Sequence, residues 1–564
     1  MTDRAETQRK SDVLPVMIPV HALGASALCA RRVWFEEVAG ERELMERARG
    51  AREATRSSRA EVEDWPEPNT LAAWQRGEVM LRSASLGFEG LLERVESPPG
   101  TIEVVPVVIR HGKGDALGQV CVEDRMEAAA FGLMLRERGY QVREVAVHYA
   151  DGARHDLALT PTLEAHVRGA AAQVRGVLET LKVPRPLAAD ARCGRCPMLG
   201  ICQPDEVWTP SPIDRQDAAE VGRVHVQHMD TEPLYIQEPG ARVGVRGEEL
   251  VITSRDGTRG YVGLGRVHHV TVVGHAHLSP QAIMRCLSEG LPIFFMSSSG
   301  WMHGGISPTV DRRALWRMSQ HETIKSPRAL PIARALIADK IANGRTLLRR
   351  RMDAHHPRRQ PILDALGDAT RAAEHAESAE TLLGVEGHAA RLYWEGYASM
   401  LAEVEGFAMR GRTRRPPRDL PNALLSYGYG VLLRECIHAI NAVGLDPCLG
   451  VFHKPHHGQP ALALDLMEPL RPLIVDSAVL RLIKNHEVTP EQFFCGAAEE
   501  QGVSMRPEAR RALIAAIERR LHDELTHPAL QSTMSWRRAI LAHAQLLRSA
   551  FAEEISAPPA LRTR

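Results

Sequence analysis

The chain has 564 residues, and its 70 basic side chains are balanced by 70 acidic ones, with 25% of all residues charged. A chain of this length exceeds one ordinary hydrophobic core, so we expect several domains. The zero net charge excludes a global attraction to nucleic acid, and any DNA affinity has to come from local basic patches. There is neither an apolar run of about twenty residues nor an apolar signal core, so we expect a cytoplasmic protein with no membrane span.

Four cysteines in the first part of the chain form the clearest candidate metal site. Cys193, Cys196 and Cys202 follow a C-x₂-C-x₅-C pattern, and Cys29 is the natural fourth ligand, 193 − 29 = 164 residues upstream. Four thiolates bind either structural zinc or an iron–sulfur cluster, and the spacing leaves both open. The remaining cysteines stand singly in apolar surroundings, so we expect them to be small buried side chains.

The segment between these cysteines indicates an α/β core. Its β-branched density predicts a buried strand at 102–109, followed by a helix at 124–138 and an alternating strand at 141–149. Strand, helix and strand in this order are typical of a mixed sheet covered by helices.

A proline-rich, polar linker is predicted at 207–229, and the pattern then becomes β over 230–310. This β region contains four histidines: His268, His269, His275 and His277. Because neighbouring residues of a strand point to opposite faces, we expect exposed strand histidines here and not a metal cluster. A second linker is predicted at 311–326, and helical periodicity dominates 327–564.

A helix predicted at 381–397 carries the acidic residue around which the second half is organised. Leu383 and Tyr393 lie on its apolar side, and Glu386 interrupts that pattern. A carboxylate near a buried face needs a cation, a proton or a metal ion. The alternative is a glutamate near the start of a helix with no special role.

Partners for Glu386 occur in two later segments. His453 lies in a short histidine-rich loop, and Asp465 and Glu468 are three residues apart, so they share a face if they lie on a helix. Two carboxylates and one imidazole suit Mg²⁺ or Mn²⁺.

Basic residues cluster before and after this helix. The second cluster contains prolines and a glycine, which predicts a loop that can place guanidinium groups along phosphates. A solvated basic surface is the alternative. The candidate DNA-binding residues are Lys340, Arg345, Arg410, Arg412, Arg414, Arg415 and Arg418.

Three sequence words resemble the CRISPR adaptation integrase Cas1: Leu-Leu-Gly-Val-Glu-Gly at 382–387, Gly-Leu-Asp-Pro at 444–447 and Leu-Asp-Leu-Met-Glu-x-x-Arg-Pro at 464–472. The resemblance covers about 230–540. It implies that Glu386, His453 and Glu468 are catalytic metal ligands, with Asp465 beside them.

The resemblance also implies metal-dependent insertion of new spacers into a CRISPR array. The expected partners are a double-stranded prespacer with 3′ overhangs, leader-repeat DNA, a second copy of the chain and the Cas2 protein. Two other classes stay open: a non-catalytic DNA-binding scaffold and a redox-regulatory iron–sulfur protein.

The first half resembles Cas4, a RecB-like nuclease with a [4Fe-4S] cluster. The resemblance rests on Ser-Ala-Leu-Cys-Ala-Arg-Arg at 26–32, on Leu-Gly-Phe-Glu-Gly-Leu-Leu-Glu at 86–93 and on the cysteine words at 193–202. Together the two halves resemble Cas4/Cas1 fusions. This resemblance favours the iron–sulfur cluster over zinc and implies that the first half selects prespacer DNA by its flanking motif.

The nuclease positions of the first half depart from the Cas4 pattern. Glu93 keeps a carboxylate, but Val108 and Arg110 stand where a glutamate and a lysine are expected, and Glu127 replaces a glutamine. Because valine offers no ligand atom and arginine cannot act as a base, we expect cleavage by this half to be impaired or lost. A register that uses Glu103 or Lys113 instead stays open.

The predicted fold class is therefore multidomain α/β plus α+β. It comprises a RecB-like α/β domain with a four-cysteine cluster at 1–206, a small β domain for dimerisation at 230–310, and an all-α integrase domain at 327–564.

Overall fold

The computed structural model divides the chain into two compact units. Unit 1 comprises Met1–Pro204 with Glu220–Val226, and unit 2 comprises Asp205–Ala219 with Gln227–Arg564. The structure describes residues 17–39, 67–68, 73–110, 118–180, 183–188, 190, 192–193, 196, 198, 202, 231–297, 300, 302–307, 314–413, 416–457, 459–495, 502–530 and 533–563. Among these residues, no helix combines the length and the apolar character needed to cross a lipid bilayer.

Unit 1 is built from two small sheets and the helices that cover them. Its strands are β1 (Ile18–Pro19), β2 (Trp74–Arg76), β3 (Val79–Ser83), β4 (Phe88–Leu92), β5 (Arg94–Ser97), β6 (Val105–Arg110), β7 (Glu144–Tyr149) and β8 (Arg154–Ala158). Its helices are α1 (Val20–Leu28), α2 (Ala30–Val33), α3 (Val122–Glu137) and α4 (Pro161–Thr180).

The larger sheet has the order β2-β5-β6-β7-β8, and the smaller has the order β1-β4-β3. Strands β6 and β7 pair in parallel, and α3 runs between them along the chain. The β-branched run of β6 is buried, with Val107 and Val108 both 0% exposed, because helices cover a parallel sheet. The predicted strand, helix and strand are therefore present.

The first part of unit 2 contains two four-stranded sheets. Its strands are β9 (Glu232–Ile236), β10 (Arg242–Arg246), β11 (Glu249–Thr253), β12 (Arg259–Gly263), β13 (Val267–Val273), β14 (His277–Leu278), β15 (Ile293–Met296) and β16 (Met302–Ile306), and its helix is α5 (Pro280–Ser288). The sheet orders are β12-β11-β10-β14 and β16-β15-β13-β9. Apolar residues of both sheets and of α5 form one core.

The second part of unit 2 is mainly helical. Its helices are α6 (Ala314–Ile324), α7 (Ala329–Arg351), α8 (Arg359–Glu374), α9 (Ala379–Ser399), α10 (Leu420–Ala442), α11 (Ala461–Met467), α12 (Ser477–Lys484), α13 (Pro507–His522) and α14 (Trp536–Phe551). Short helical turns at Glu468–Leu470 and Pro472–Asp476 join α11 to α12. Helix α7 packs against both α8 and α9, which places it at the centre of this part.

Two expectations about this region need correction. The integrase part is not all-α, because it contains two hairpins, β17 (Phe493–Cys495) with β18 (Val503–Met505) and β19 (Glu524–Thr526) with β20 (Thr533–Ser535). The stretch 311–326, predicted as a linker, is largely the helix α6, whose Trp316 is buried under the Arg548 guanidinium. The linker predicted at 207–229 lies outside the described residues.

The expectation about the strand histidines was also partly wrong. His275 and His277 are exposed as predicted, but His269 is 0% exposed and His268 is half-buried. The register of β13 against β9 shifts between Val267 and His269. This irregularity breaks the alternation of faces, so the two imidazoles lie together with their ring centroids 4.5 Å apart.

Candidate active site

Helix α9 holds Glu386 in the helical part of unit 2. Ser378 caps its N-terminus, because the Ser378 hydroxyl accepts a hydrogen bond from the Thr381 backbone N–H. The buried side is formed by residues such as Leu382 and Tyr393, whereas Leu383 is 59% exposed, contrary to the prediction. Glu386 lies between these two sides of the helix and is partly accessible.

Lys340 of α7 joins two of the predicted metal ligands. Its Nζ lies 2.5 Å from Glu386 Oε1 and 2.6 Å from Glu468 Oε2. The two carboxylates therefore share one positive charge, although they are far apart in sequence. Lys340 is a predicted DNA contact, but its ammonium lies between the two carboxylates.

Asp465 positions the third predicted ligand, His453. The buried Asp465 carboxylate accepts hydrogen bonds from the backbone N–H groups of residues 451–453 and contacts His453 Nδ1 at 2.7 Å. His453 Nε2 then lies 3.9 Å from Glu468 Oε1. The loop approaches Asp465 closely at Gly450, where a Cβ atom would lie 2.8 Å from Asp465 Oδ2.

Glu468 is the most buried of the three predicted ligands, at 2% exposure. Burial alone would raise the pKa of its carboxyl, but the positive charges of Arg471 and Lys340 lower that pKa to about 2. Arg471 NH2 lies 3.2 Å from Glu468 Oε1. Glu468 is thus held as a carboxylate, the state that a metal ligand requires.

The donor set suits a hard divalent cation. Glu386 and Glu468 each offer a carboxylate oxygen, and the two oxygens flank a position that is occupied by a cation, the Lys340 ammonium. His453 offers Nε2, and the contact of its other ring nitrogen with Asp465 is the usual support for a metal-binding histidine. The structure therefore brings the predicted ligands to one cleft.

A buried aspartate beside this cleft was missed in the sequence. Asp476 accepts hydrogen bonds from the Tyr393 and Tyr429 hydroxyls, each at 2.6 Å, and its backbone carbonyl accepts one from Tyr397 at 2.9 Å. Burial raises the pKa of Asp476 to about 6, although these hydrogen bonds and Arg471 oppose the shift. The available signal in the sequence was that an aspartate ends the otherwise apolar run 472–476.

The predicted DNA-binding arginines are placed in different ways. Arg410 and Arg418 are exposed, whereas Arg345 is half-buried and donates to the Leu363 carbonyl. Arg412 is also half-buried, and its guanidinium donates to Asn422 and Ser426 and lies over the Trp394 and Tyr429 rings. Arg414 and Arg415 lie outside the described residues.

In unit 1, the four predicted cysteine ligands line one small cavity together with hydrophobic side chains. Arg192 donates to the Leu28 carbonyl at the end of α1, and Arg31 of α2 donates to the Cys202 carbonyl, so the two bonds tie the late cysteine loop to α1 and α2. Burial raises the pKa of the Cys202 thiol to about 12, although the positive charge of Arg31 opposes this shift. Four sulfurs around one cavity fit a metal or cluster that holds them as thiolates.

Arg110 occupies the place predicted for the nuclease site of unit 1. Its guanidinium donates to Asp124 at 2.6 Å, lies 3.4 Å from Glu93 Oε1 and also pairs with Glu127. Three carboxylates therefore converge on one arginine. Val108, the other departure from the Cas4 pattern, is fully buried in the sheet. Of the alternative pair, Glu103 is partly buried and Lys113 lies outside the described residues.

Comparisons with known proteins agree with this geometry. The family model described as "CRISPR associated protein Cas1" matches residues 234–519. A "CRISPR-associated exonuclease Cas4/endonuclease Cas1 fusion" of Geobacter sulfurreducens is 36% identical over 503 residues, which cover 86% of this chain and 87% of the relative. The protein of the same description from Rhodospirillum rubrum is 33% identical over 544 residues, 94% of this chain and 92% of the relative.

Among solved structures, a "Casposase bound to integration product" matches with a TM-score of 0.51 and 21% identity over 58% of this chain and 92% of its own. This likeness shows a shared fold. Nucleases of the Cas1 and Cas4 families are metal-dependent enzymes. The matches over nearly the whole chain confirm the predicted resemblance and the enzyme class, a CRISPR nuclease and integrase. The chain belongs to the family of CRISPR-associated Cas4 exonuclease/Cas1 endonuclease fusions.

Proposed function

We propose that the Cas1-like half transfers DNA strands at a site formed by Glu386, His453 and Glu468. A 3′-hydroxyl of a prespacer attacks a phosphodiester at the edge of a CRISPR repeat, and the displaced 3′-hydroxyl leaves. One phosphodiester forms as another breaks, so the exchange needs no nucleotide cofactor. The single observation that carries this proposal is the convergence of the two carboxylates on Lys340, with His453 directed at Glu468.

A bound Mg²⁺ or Mn²⁺ ion would polarise the scissile phosphate and stabilise the oxygens that attack and leave. The protein residues prepare its place. Asp465 fixes the His453 ring so that Nε2 faces Glu468, and Arg471 keeps Glu468 ionised. Lys340 neutralises the carboxylates before the ion binds, and it then becomes available to pair with a DNA phosphate beside the site.

We propose that the Cas4-like half binds and selects prespacer DNA and holds a [4Fe-4S] cluster through Cys29, Cys193, Cys196 and Cys202. Support comes from the shared cavity of these residues and from the likeness of the whole chain to fusion relatives. Cleavage by this half is impaired, because the Arg110 guanidinium neutralises the carboxylates that would otherwise bind a metal ion. This half then binds DNA without cutting it, which is the role that the non-catalytic scaffold alternative gives to both halves.

We also propose the partners that the family resemblance implies: a prespacer with 3′ overhangs, leader-repeat DNA, a second copy of this chain through the β domain, and Cas2. The casposase with the same fold was solved bound to an integration product, which supports DNA as the substrate. The exposed Arg410 and Arg418 are the described members of the basic loop that remain accessible to phosphates.

A strand-transfer assay tests the assignment. Purified chain, Cas2, a labelled prespacer, a repeat-bearing plasmid and Mn²⁺ are combined for the wild type, Glu386→Ala and Glu395→Ala. Glu395 lies on the same helix and pairs with Arg358 at the surface, so it is the matched control. Integration is expected to disappear in Glu386→Ala and to persist in the control. Undiminished integration in Glu386→Ala would remove the assigned role. The same assay, run with and without reductant, separates strand transfer from a purely redox-regulatory role.

A further inference from the structure

A second group of metal-ligand side chains lies in unit 2, apart from the site of Glu386. His268 and His269 belong to β13 of the β part, and Glu435 and His438 belong to α10 of the helical part. The shifted register of β13 turns both of its histidines toward the helix. Because Glu435 and His438 are three apart, they lie on one face of α10.

The distances among these side chains are short. One ligand atom from each of His268, His269 and Glu435 lies within 4.8 Å of the other two. His268 Nε2 is 3.7 Å from Glu435 Oε2. The ring centroid of His438 is 4.8 Å from that of His268 and 5.5 Å from that of His269.

Several polar atoms of this group lack hydrogen-bond partners. Among the described residues, none accepts from or donates to either ring nitrogen of His268 or His269, and Glu435 Oε1 also has no partner. His269 is 0% exposed and Glu435 is 3% exposed. A buried polar group without a partner is destabilising, so this arrangement calls for a ligand that uses these lone pairs.

Two arginines and two glutamates surround this group. The Arg537 guanidinium lies between Glu435 and Glu518, donating to the Oε2 atom of each, at 3.3 and 2.6 Å. The Arg434 guanidinium lies over the Tyr235 ring and donates to the Met296 sulfur. The charges of these two arginines and two glutamates balance, and Glu435 Oε1 has no hydrogen-bond partner among the described residues.

We propose that His268, His269 and Glu435 bind a zinc ion that joins the β part to helix α10. His438 completes the set as the fourth ligand. Zinc takes four nitrogen or carboxylate ligands at about 2.0–2.2 Å, which places neighbouring ligand atoms about 3.3 Å apart. Ligand atoms within 4.8 Å therefore need to approach by at most about 1.5 Å, which side-chain rotation can supply.

The chemistry of the group distinguishes it from the site of Glu386. Three imidazoles favour zinc or a neighbouring transition metal over Mg²⁺ and Mn²⁺, which prefer oxygen. Tyr429, which bonds Asp476 beside the catalytic cleft, lies on the same helix. The zinc ion would thus fix the position of a helix that contributes to the cleft.

Metal content and thermal stability test the proposal in the full chain. The wild type, His268→Gln and His275→Gln are stripped with a chelator, loaded with Zn²⁺ and desalted. His275 is exposed just beyond the same strand, so it is the matched control, and the cysteine and Glu386 sites are the same in all three proteins. The wild type and His275→Gln are expected to retain one more zinc ion per chain than His268→Gln, and zinc is expected to raise their Tm further. Equal zinc content in all three would overturn the proposal.

A second measurement does not depend on a variant that folds. Crystals of the wild-type chain loaded with Zn²⁺ are measured on both sides of the zinc absorption edge. An anomalous peak bonded to His268, His269 and Glu435 is expected. A water molecule that bridges the imidazoles in place of that peak would overturn the proposal.

Discussion

Replacing Lys340 by methionine separates its two possible roles, cation of the catalytic cleft and DNA contact. Methionine keeps much of the length of the lysine stem but removes the charge. Lys340 Nζ lies 2.5 Å from Glu386 and 2.6 Å from Glu468, and its side chain is 19% exposed. At an effective dielectric constant of 20, each such pair is worth about 6 kcal/mol before desolvation is subtracted.

Removing one partner of a buried ion pair costs about 3–5 kcal/mol, because the other charge stays buried and unpaired. Metal-free Lys340→Met is therefore expected to be less stable than the wild type by about 3–5 kcal/mol. At about 2 °C per kcal/mol for a unit of this size, its Tm falls by about 6–10 °C. In Lys340→Met a divalent ion does not have to displace the ammonium, so its binding free energy becomes more favourable. A gain of about 3 kcal/mol tightens the Mn²⁺ Kd by about 100-fold.

Calorimetric titration with Mn²⁺ and thermal unfolding, each with and without metal, measure both effects. Lys484→Met is the control, since Lys484 is an exposed lysine at the end of α12. Mn²⁺ is expected to raise the Tm of Lys340→Met more than that of the wild type or the control. An unchanged Tm without metal, together with an unchanged Mn²⁺ Kd, would refute the shared-cation arrangement.

Three further predictions follow from single residues. Asp476→Asn removes a carboxyl whose folded pKa, about 6, exceeds the unfolded value of 3.8, so the folded state binds more protons between these values. The free energy of unfolding of the wild type, measured with denaturant relative to the variant, is expected to fall by about 2 kcal/mol from pH 4 to pH 7, and a constant difference would contradict the buried carboxyl. Asp465→Asn cannot accept from all its present donors, so strand transfer is expected to drop about 10–100-fold and the Tm without metal is expected to fall. Full activity would show that His453 needs no such support. The Glu386→Ala variant is expected to show negligible Mn²⁺-dependent cleavage of single-stranded DNA, because Arg110 occupies the carboxylate site of unit 1. Robust cleavage would show that unit 1 keeps a working nuclease.

Much of the proposed catalytic cleft could be predicted from the sequence because its proposed metal ligands lie in distinctive sequence words. Glu386 interrupts an apolar helix, and Asp465 and Glu468 share a helical face, so each has a local signal. Lys340 has no such signal, and its pairing with Glu386 and Glu468 depends on the packing of α7 against α9 and the turn after α11. Only the folded structure shows that its charge is directed inward.

The strand histidines show where prediction from the sequence failed. Because alternation sends neighbouring residues to opposite faces, exposed side chains were predicted at His268 and His269; this failed because one irregularity in the β13 ladder breaks the alternation. A register shift of this kind depends on the neighbouring strand β9, so the sequence of β13 alone does not reveal it. The ionic cluster around Arg110 was also only partly predictable. The replacement of lysine by arginine is visible in the sequence, but the cluster forms only because helix α3 lies against β6.

The most direct measurement of the central claim is the position of Mn²⁺ in crystals of the full chain, located by its anomalous scattering. The account predicts a peak about 2 Å from a carboxylate oxygen of Glu386, a carboxylate oxygen of Glu468 and Nε2 of His453, with the Lys340 ammonium displaced from between the carboxylates. A fully loaded crystal in which Mn²⁺ binds elsewhere while Lys340 still bridges Glu386 and Glu468 would contradict it.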